Sequence, residues 1–228
     1  MKLTIPRHGL VWIDAAVKAG TVAFLLLALA APDWPQFQGK AFEGRAVVYP
    51  IALAIVPLGW WLIARRRMSF PAAADVLIGL PFLIDMAGNA LNLYDSIDWW
   101  DDANHLVNWA LHTGGIAILL RGTMLPAAAR FGIGLAWAST TAIAWELLEY
   151  VTFVPNSPEA ATAYRDTLGD LLLGVLGGAA AAAMVAWWPR RPRARATEAR
   201  RFPPPSGPED ATETTGARSP GGQSRITP

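Results

Sequence analysis

AVVYPIALAIVPLGWWLIA, residues 46–64, is an apolar run without a charge, long enough to cross a bilayer. A hydrocarbon core takes about 20 apolar residues in a helix, and a helix satisfies every backbone group within itself. Five further stretches approach that length: 10–31, 70–93, 104–120, 131–154 and 166–188. The stretch 70–93 carries Asp75, Asp85, Asn89 and Asn92 and is polar enough for a hydropathy scan to pass over. The expected fold is all-α, a polytopic membrane bundle of about six transmembrane helices over residues 1–188, followed by a tail over 189–228.

Composition points the same way. The chain has 228 residues, 53% apolar and only 16% charged, with 11 Trp and no Cys. Without Cys there is no disulfide framework, no thiolate metal site and no Cys nucleophile. The net charge of +1 averages two unlike parts: 189–228 holds eight Arg against four acids, and 1–188 holds eleven Lys/Arg against fourteen. The tail is rich in Arg, Pro, Gly, Ser and Thr and has too few apolar residues to offset its ordering entropy, so a disordered basic segment is expected. No phosphate loop, internal repeat or nucleic-acid module is present. The expected partners are the bilayer and a lipid or lipid-linked substrate, with no nucleic acid.

Lys and Arg in short connections set orientation. Lys2 and Arg7, Arg65 to Arg67, Arg121 with Arg130, and Arg190 to Arg195 fall in alternate connections, while 32–45, YDSIDWWDDAN at 94–104 and PNSPEAATAY at 155–164 have little positive charge. This pattern predicts a multi-pass protein of the inner membrane with both termini cytoplasmic. Trp12, Trp60, Trp61, Trp187 and Trp188 then mark inner span ends and Trp99 and Trp100 an outer one, as in an aromatic belt. The start, with Ala28-Leu29-Ala30, also resembles a secretory signal; the reading taken is a retained first span.

The polar residues collect at the outer ends. Asp85, Asn89 and Asn92 share a face of the third span, and Asp101, His105, Asn108 and His112 share a face of the fourth. Glu146 and Glu149 lie near the end of the fifth, and Arg165, Asp166 and Asp170 open the sixth. Carboxylates gathered in low dielectric must be protonated, paired or bound to a cation. Arg165 reads as the only basic side chain at that level besides the histidines, too few for five or more acids. The metal-ligand candidates are His105, Glu146, Glu149, Asp166 and Asp170, an oxygen-and-nitrogen set suited to a divalent metal ion such as Mg²⁺, Mn²⁺, Fe or Zn²⁺. Asp101 is the candidate for orienting His105, and Arg165 for holding a phosphate. Asp95, Asp98 and Asp102 read as a solvated loop, His112 as a hydrogen-bonded core histidine, and Asp75 as the partner of the Arg65 to Arg67 run. Gly174 and Gly178, four apart, read as close helix packing.

At these residues the chain resembles the YjdF-like inner-membrane family, a domain of unknown function with a more distant likeness to VanZ-like membrane proteins. The pieces that carry the resemblance are W-W-D-D-A-N-H at 99–105, W-E-L-L-E-Y at 145–150 and D-T-L-G-D-L-L-L-G-V-L-G-G-A at 166–179. Carried over by position, they mark Asp101, His105, Glu146, Glu149, Asp166, Asp170 and Gly178. The resemblance covers about residues 70–185 and implies an envelope location without an activity.

Three function classes follow. One is a membrane-embedded, metal-dependent enzyme on lipid or lipid-linked substrates, with Asp101, His105 and Arg165 in the catalytic set. The second is a proton- or cation-coupled transporter, which needs polar groups continuing inward, where the sequence offers mainly His112 and Asp75. The third is a noncatalytic envelope protein whose acids brace helices.

Overall fold

The computed structural model describes residues 7–152, 154 and 158–188. The tail at 189–228, and with it the expected disorder, lies outside the described residues, as does Lys2. All regular structure among the described residues is helical: α1 (Arg7–Ala30), α2 (Phe42–Gly59, continued by a π-helical turn Trp60–Ala64), α3 (Ala72–Ala90), α4 (Leu93–Ser96), α5 (Trp100–Arg121), α6 (Ala127–Thr152) and α7 (Ala163–Trp187), with a 3₁₀ turn at Pro158–Ala161.

Five of these helices, α1, α2 with its π turn, α3, α6 and α7, are long and apolar enough to cross a membrane. The segment 70–93 therefore qualifies despite its acids. The expected fourth span, 104–120, is the one outside this set. Its helix α5 has 22 residues, about 33 Å at 1.5 Å per residue, so it has the length without the apolarity. Asn104, His105, Asn108 and Thr113 are all buried in it. α5 can be polar because it is central: it packs chiefly against α7 and α3, and also against α6. Its start differs from expectation as well, since Trp100–Ala103 are helical rather than loop. Asp101 and Asp102 fall in the first turn, where carboxylates complement the positive end of the helix dipole.

The distribution of side chains is that of a protein solvated by lipid. Val47, Ile51, Ile55, Leu58 and Leu62 of α2 are exposed, as are Leu168, Leu172 and Leu176 of α7, one turn apart. Asp14, Asp75, Asp85, Asn89, Asn104, His105, Asn108, Glu146 and Asp170 are buried. In water that arrangement would expose large apolar patches; in a bilayer it places ionisable groups where they are tolerated, facing the bundle interior.

Small residues let the central helices approach. A methyl group at Gly177 would collide with the Leu106 carbonyl of α5, and one at Gly178 with Ala138 of α6. The glycine stripe of α7 is thus the shared contact of three helices, and the expected close packing is within the chain. Arg130 of α6 is buried and donates to the Ala186 carbonyl at 2.7 Å and the Leu125 carbonyl at 2.6 Å. It thereby caps the last turn of α7, where a cation meets the negative helix end.

One expected pair is corrected. Asp75 does not reach Arg65 to Arg67; Lys18 of α1 donates to it and also to Asp14 Oδ2 at 2.8 Å. α1 packs directly on α3, whereas the three arginines lie beyond the π turn and are exposed.

Two stability predictions follow from this packing. Gly177→Ala should lower the thermal midpoint in detergent, at a cost of about 1–3 kcal/mol for overpacking. Gly132→Ala, where a methyl group meets nothing within 4 Å, should leave it unchanged or raise it. Lys18→Met strands buried carboxylates, a loss of roughly 3–5 kcal/mol, and adding Asp75→Asn should recover part of it. Fluorescence-detected thermal scans of the four variants measure both effects.

Candidate functional site

At the α4 end of the bundle, α2, α3, α5, α6 and α7 enclose a cavity of about 490 Å³, within the size range of small-molecule sites. Its walls differ in chemistry. α5 and α6 contribute Asp101, His105, Asn108, His112, Glu146 and Glu149, while α2, α3 and α4 contribute Arg45, Tyr49, Asp85, Asn89 and Tyr94.

On the second wall Asp85 is fully engaged. Tyr49 donates its hydroxyl to Asp85 Oδ2 at 2.5 Å and Arg45 Nε donates at 3.2 Å, while Tyr94 and Asn89 donate to Oδ1 at 3.0 and 3.3 Å. Burial first, and then the Asp85 carboxylate, push the Tyr94 phenol above its ordinary range, so it remains a donor. Asp85 is a charge that the protein itself compensates. Lys40 pairs with Asp95 at 2.8 Å.

On the first wall His105 is the hub, 4% exposed and stacked on Trp109 with ring centroids 5.5 Å apart. Its Nδ1 faces Glu146 Oε1 at 3.7 Å, and its Nε2 faces Asp101 Oδ1 at 3.7 Å and Asp170 Oδ1 at 3.9 Å. These separations exceed hydrogen-bond lengths of about 2.7–3.2 Å. They fall in the window of roughly 3–4.2 Å that two donors bonded to one ion at about 2.1 Å span. Two groups have ligand atoms mutually within 4.8 Å, namely His105 with Glu146 and Glu149, and His105 with Asp101 and Asp170.

The two faces of the imidazole are not equivalent. Both His105 Nδ1 and Glu146 Oε1 are buried and make no hydrogen bond to described residues, although they face each other. Such orphaned polar atoms are rare and call for a partner. Glu149 lines the cavity on that side, and Asp170, 3% exposed, is not among the cavity-lining residues.

The expected site residues therefore divide. His105, Glu146, Glu149, Asp101 and Asp170 converge. Asp166 is exposed at the cavity mouth, outside both groups, and Arg165 is exposed and does not line the cavity. The expectation that Arg165 is the only basic side chain at this level is corrected: Arg45 and Lys40 both line the cavity. The sequence reading assigned Arg45 to a connection, because the apolar run begins after it; α2 starts at Phe42 instead. Its spacing of four from Tyr49, one helical face, is the signal that could have found it. Asp102 and Asp95 are exposed, as expected. His112 is half-buried against Phe82, ring centroids 5.3 Å apart, but its Nδ1 has no hydrogen-bond partner among the described residues, so it is not the satisfied core histidine expected.

No curated protein and no solved structure matches the chain. A family profile does match, over a longer stretch than the 70–185 on which the motifs rest and consistent with the YjdF-like membrane family that they resemble; the VanZ-like proteins are not part of that match. The profile is that of the DUF2238 family of predicted membrane proteins, and since it spans residues 16–191, the chain belongs to that family.

Proposed function

We propose that this protein is a membrane-embedded, metal-dependent enzyme acting on a lipid or lipid-linked substrate from the leaflet at the α4 end, the outer one by the distribution of Lys and Arg. The observation that carries the reading is the pair of buried, unpartnered atoms His105 Nδ1 and Glu146 Oε1, 3.7 Å apart on the cavity wall beside Glu149. His105, Glu146 and Glu149 would hold a divalent ion, which would satisfy both atoms and offset the charge of the acids.

Asp170 and Asp101 face the other imidazole nitrogen at 3.9 and 3.7 Å and would serve as positioning residues, their negative charge favouring the Nε2–H tautomer that leaves Nδ1 free to ligate. Asp166 stands at the mouth. When bound, the ion would supply Lewis-acid polarisation of a phosphoryl or acyl oxygen and an activated water. In hydrolysis, water oxygen bonding to phosphorus would break the ester P–O bond, and bonding to an acyl carbon would break the acyl C–O bond. The water proton passes through a carboxylate to the departing alkoxide.

A cation-coupled transporter is the second reading. It is favoured by the Asp14–Lys18–Asp75 network between α1 and α3, which supplies ionisable groups towards the opposite end of the bundle, beyond His112.

Elemental mass spectrometry of detergent-purified protein should find near-stoichiometric divalent metal in the parent and little in Glu146→Ala or Glu149→Ala. Asp170→Asn should retain the site with affinity lowered by about 10–100-fold. Folded parent protein that takes up no divalent metal when it is supplied would sink the enzyme reading, and cation flux into proteoliposomes would then establish transport.

A further inference from the structure

The cavity has a cationic pole that the metal reading leaves without a role. Arg45 is held firmly: Nε donates to Asp85 at 3.2 Å and to the Tyr49 hydroxyl at 3.3 Å, and Nη1 donates to the Lys40 carbonyl. That carbonyl is delivered by a tight turn in which Gly39 and Ala41 both have positive φ, 71° and 51°. An alanine in the left-handed region is strained by about 1–2 kcal/mol, and strain of this kind accumulates where geometry serves a ligand. With three acceptors engaging Nε and Nη1, Nη2 makes no hydrogen bond to any described residue, although Arg45 lines the cavity. A planar guanidinium anchored through Nε and Nη1, with Nη2 left to donate, can receive a phosphate or carboxylate oxygen.

A second feature adjoins it. A narrow crevice between α2 and α6 shares most of its lining with the cavity, Arg45, Val48, Leu148 and Glu149 among them, and adds Ala41, Gly44 and Thr152. At about 40 Å³ it admits only a methylene or two. It nevertheless runs from the polar site between two helices whose outer faces are exposed and apolar, and α2 buries only Phe42, Tyr49 and Leu53.

We infer that Arg45 is the anion-recognition residue of this cavity and takes the phosphate of a membrane amphiphile, whose tail leaves along the α2–α6 crevice. The inference rests on the proposed lipid-directed function and names its substrate class. It places the phosphate on Arg45 rather than on Arg165, and sets it in one cavity with the His105 cluster.

The probes are dioleoyl phosphatidic acid, dioleoylglycerol and glycerol 3-phosphate, with binding to the delipidated full chain read by native mass spectrometry. Each is measured with and without chelator, so that loss of metal and loss of the anion site are scored separately. Phosphatidic acid should bind, and the two fragments should bind far more weakly. Arg45→Gln should weaken phosphatidic acid by about tenfold or more, the value of a charge-assisted hydrogen bond, and Arg45→Lys should restore part of the binding. Because Arg45→Gln strands Asp85, the Arg45→Gln/Asp85→Asn double variant keeps the test valid if the single variant fails to fold. Undiminished binding in the double variant overturns the inference, as does a loss confined to Arg165→Gln. Glycerol 3-phosphate binding as tightly as phosphatidic acid would make the ligand a water-soluble phosphate and overturn the amphiphile.

Discussion

Compensation of carboxylates inside an apolar shell is the constraint on which this structure turns. An ionised acid removed from water loses several kcal/mol of solvation even after the protein relaxes around it. Three solutions are visible. Asp85 is met by Arg45, two tyrosines and Asn89. Asp14 and Asp75 share Lys18. The acids that face His105 stand 3.7–3.9 Å from its ring nitrogens, too far for hydrogen bonds, and that difference separates the third cluster from the other two.

The scaffold explains how such a cluster can be held at all. A polar helix is unstable in lipid, so α5 must be enclosed, and enclosure requires its neighbours to come close. Gly177 and Gly178 of α7 permit that approach to α5 and α6, and Arg130 fastens the far end of α7 to α6. The same packing that shields α5 brings Glu146, Asp170 and His105 to one level from three helices. Architecture and site are therefore one arrangement: loosening the glycine contacts should disperse the ligands.

Much of this was legible in the sequence. Apolar run length located the helices, because backbone satisfaction in lipid leaves few alternatives. Helical periodicity and depth together singled out His105, Glu146, Glu149 and Asp170. What escaped was of two kinds. The first was helix boundaries: α2 begins before its apolar run and α5 starts inside an acidic one, so the apolar pattern leaves Arg45 in a connection and Asp102 in a loop. The second was partner choice between helices distant in sequence. Asp75 finds Lys18 because α1 packs on α3, a pairing that charge order alone does not reveal, and Arg165 is exposed and outside the cavity lining.

Electron–nuclear double resonance on the protein loaded with Mn²⁺ tests most directly whether the His105 cluster is a metal centre. A centre built on His105 Nδ1, Glu146 and Glu149 predicts coupling to one imidazole nitrogen, abolished in His105→Gln. An Mn²⁺ signal coupled to solvent protons alone, unchanged in that variant, would contradict it.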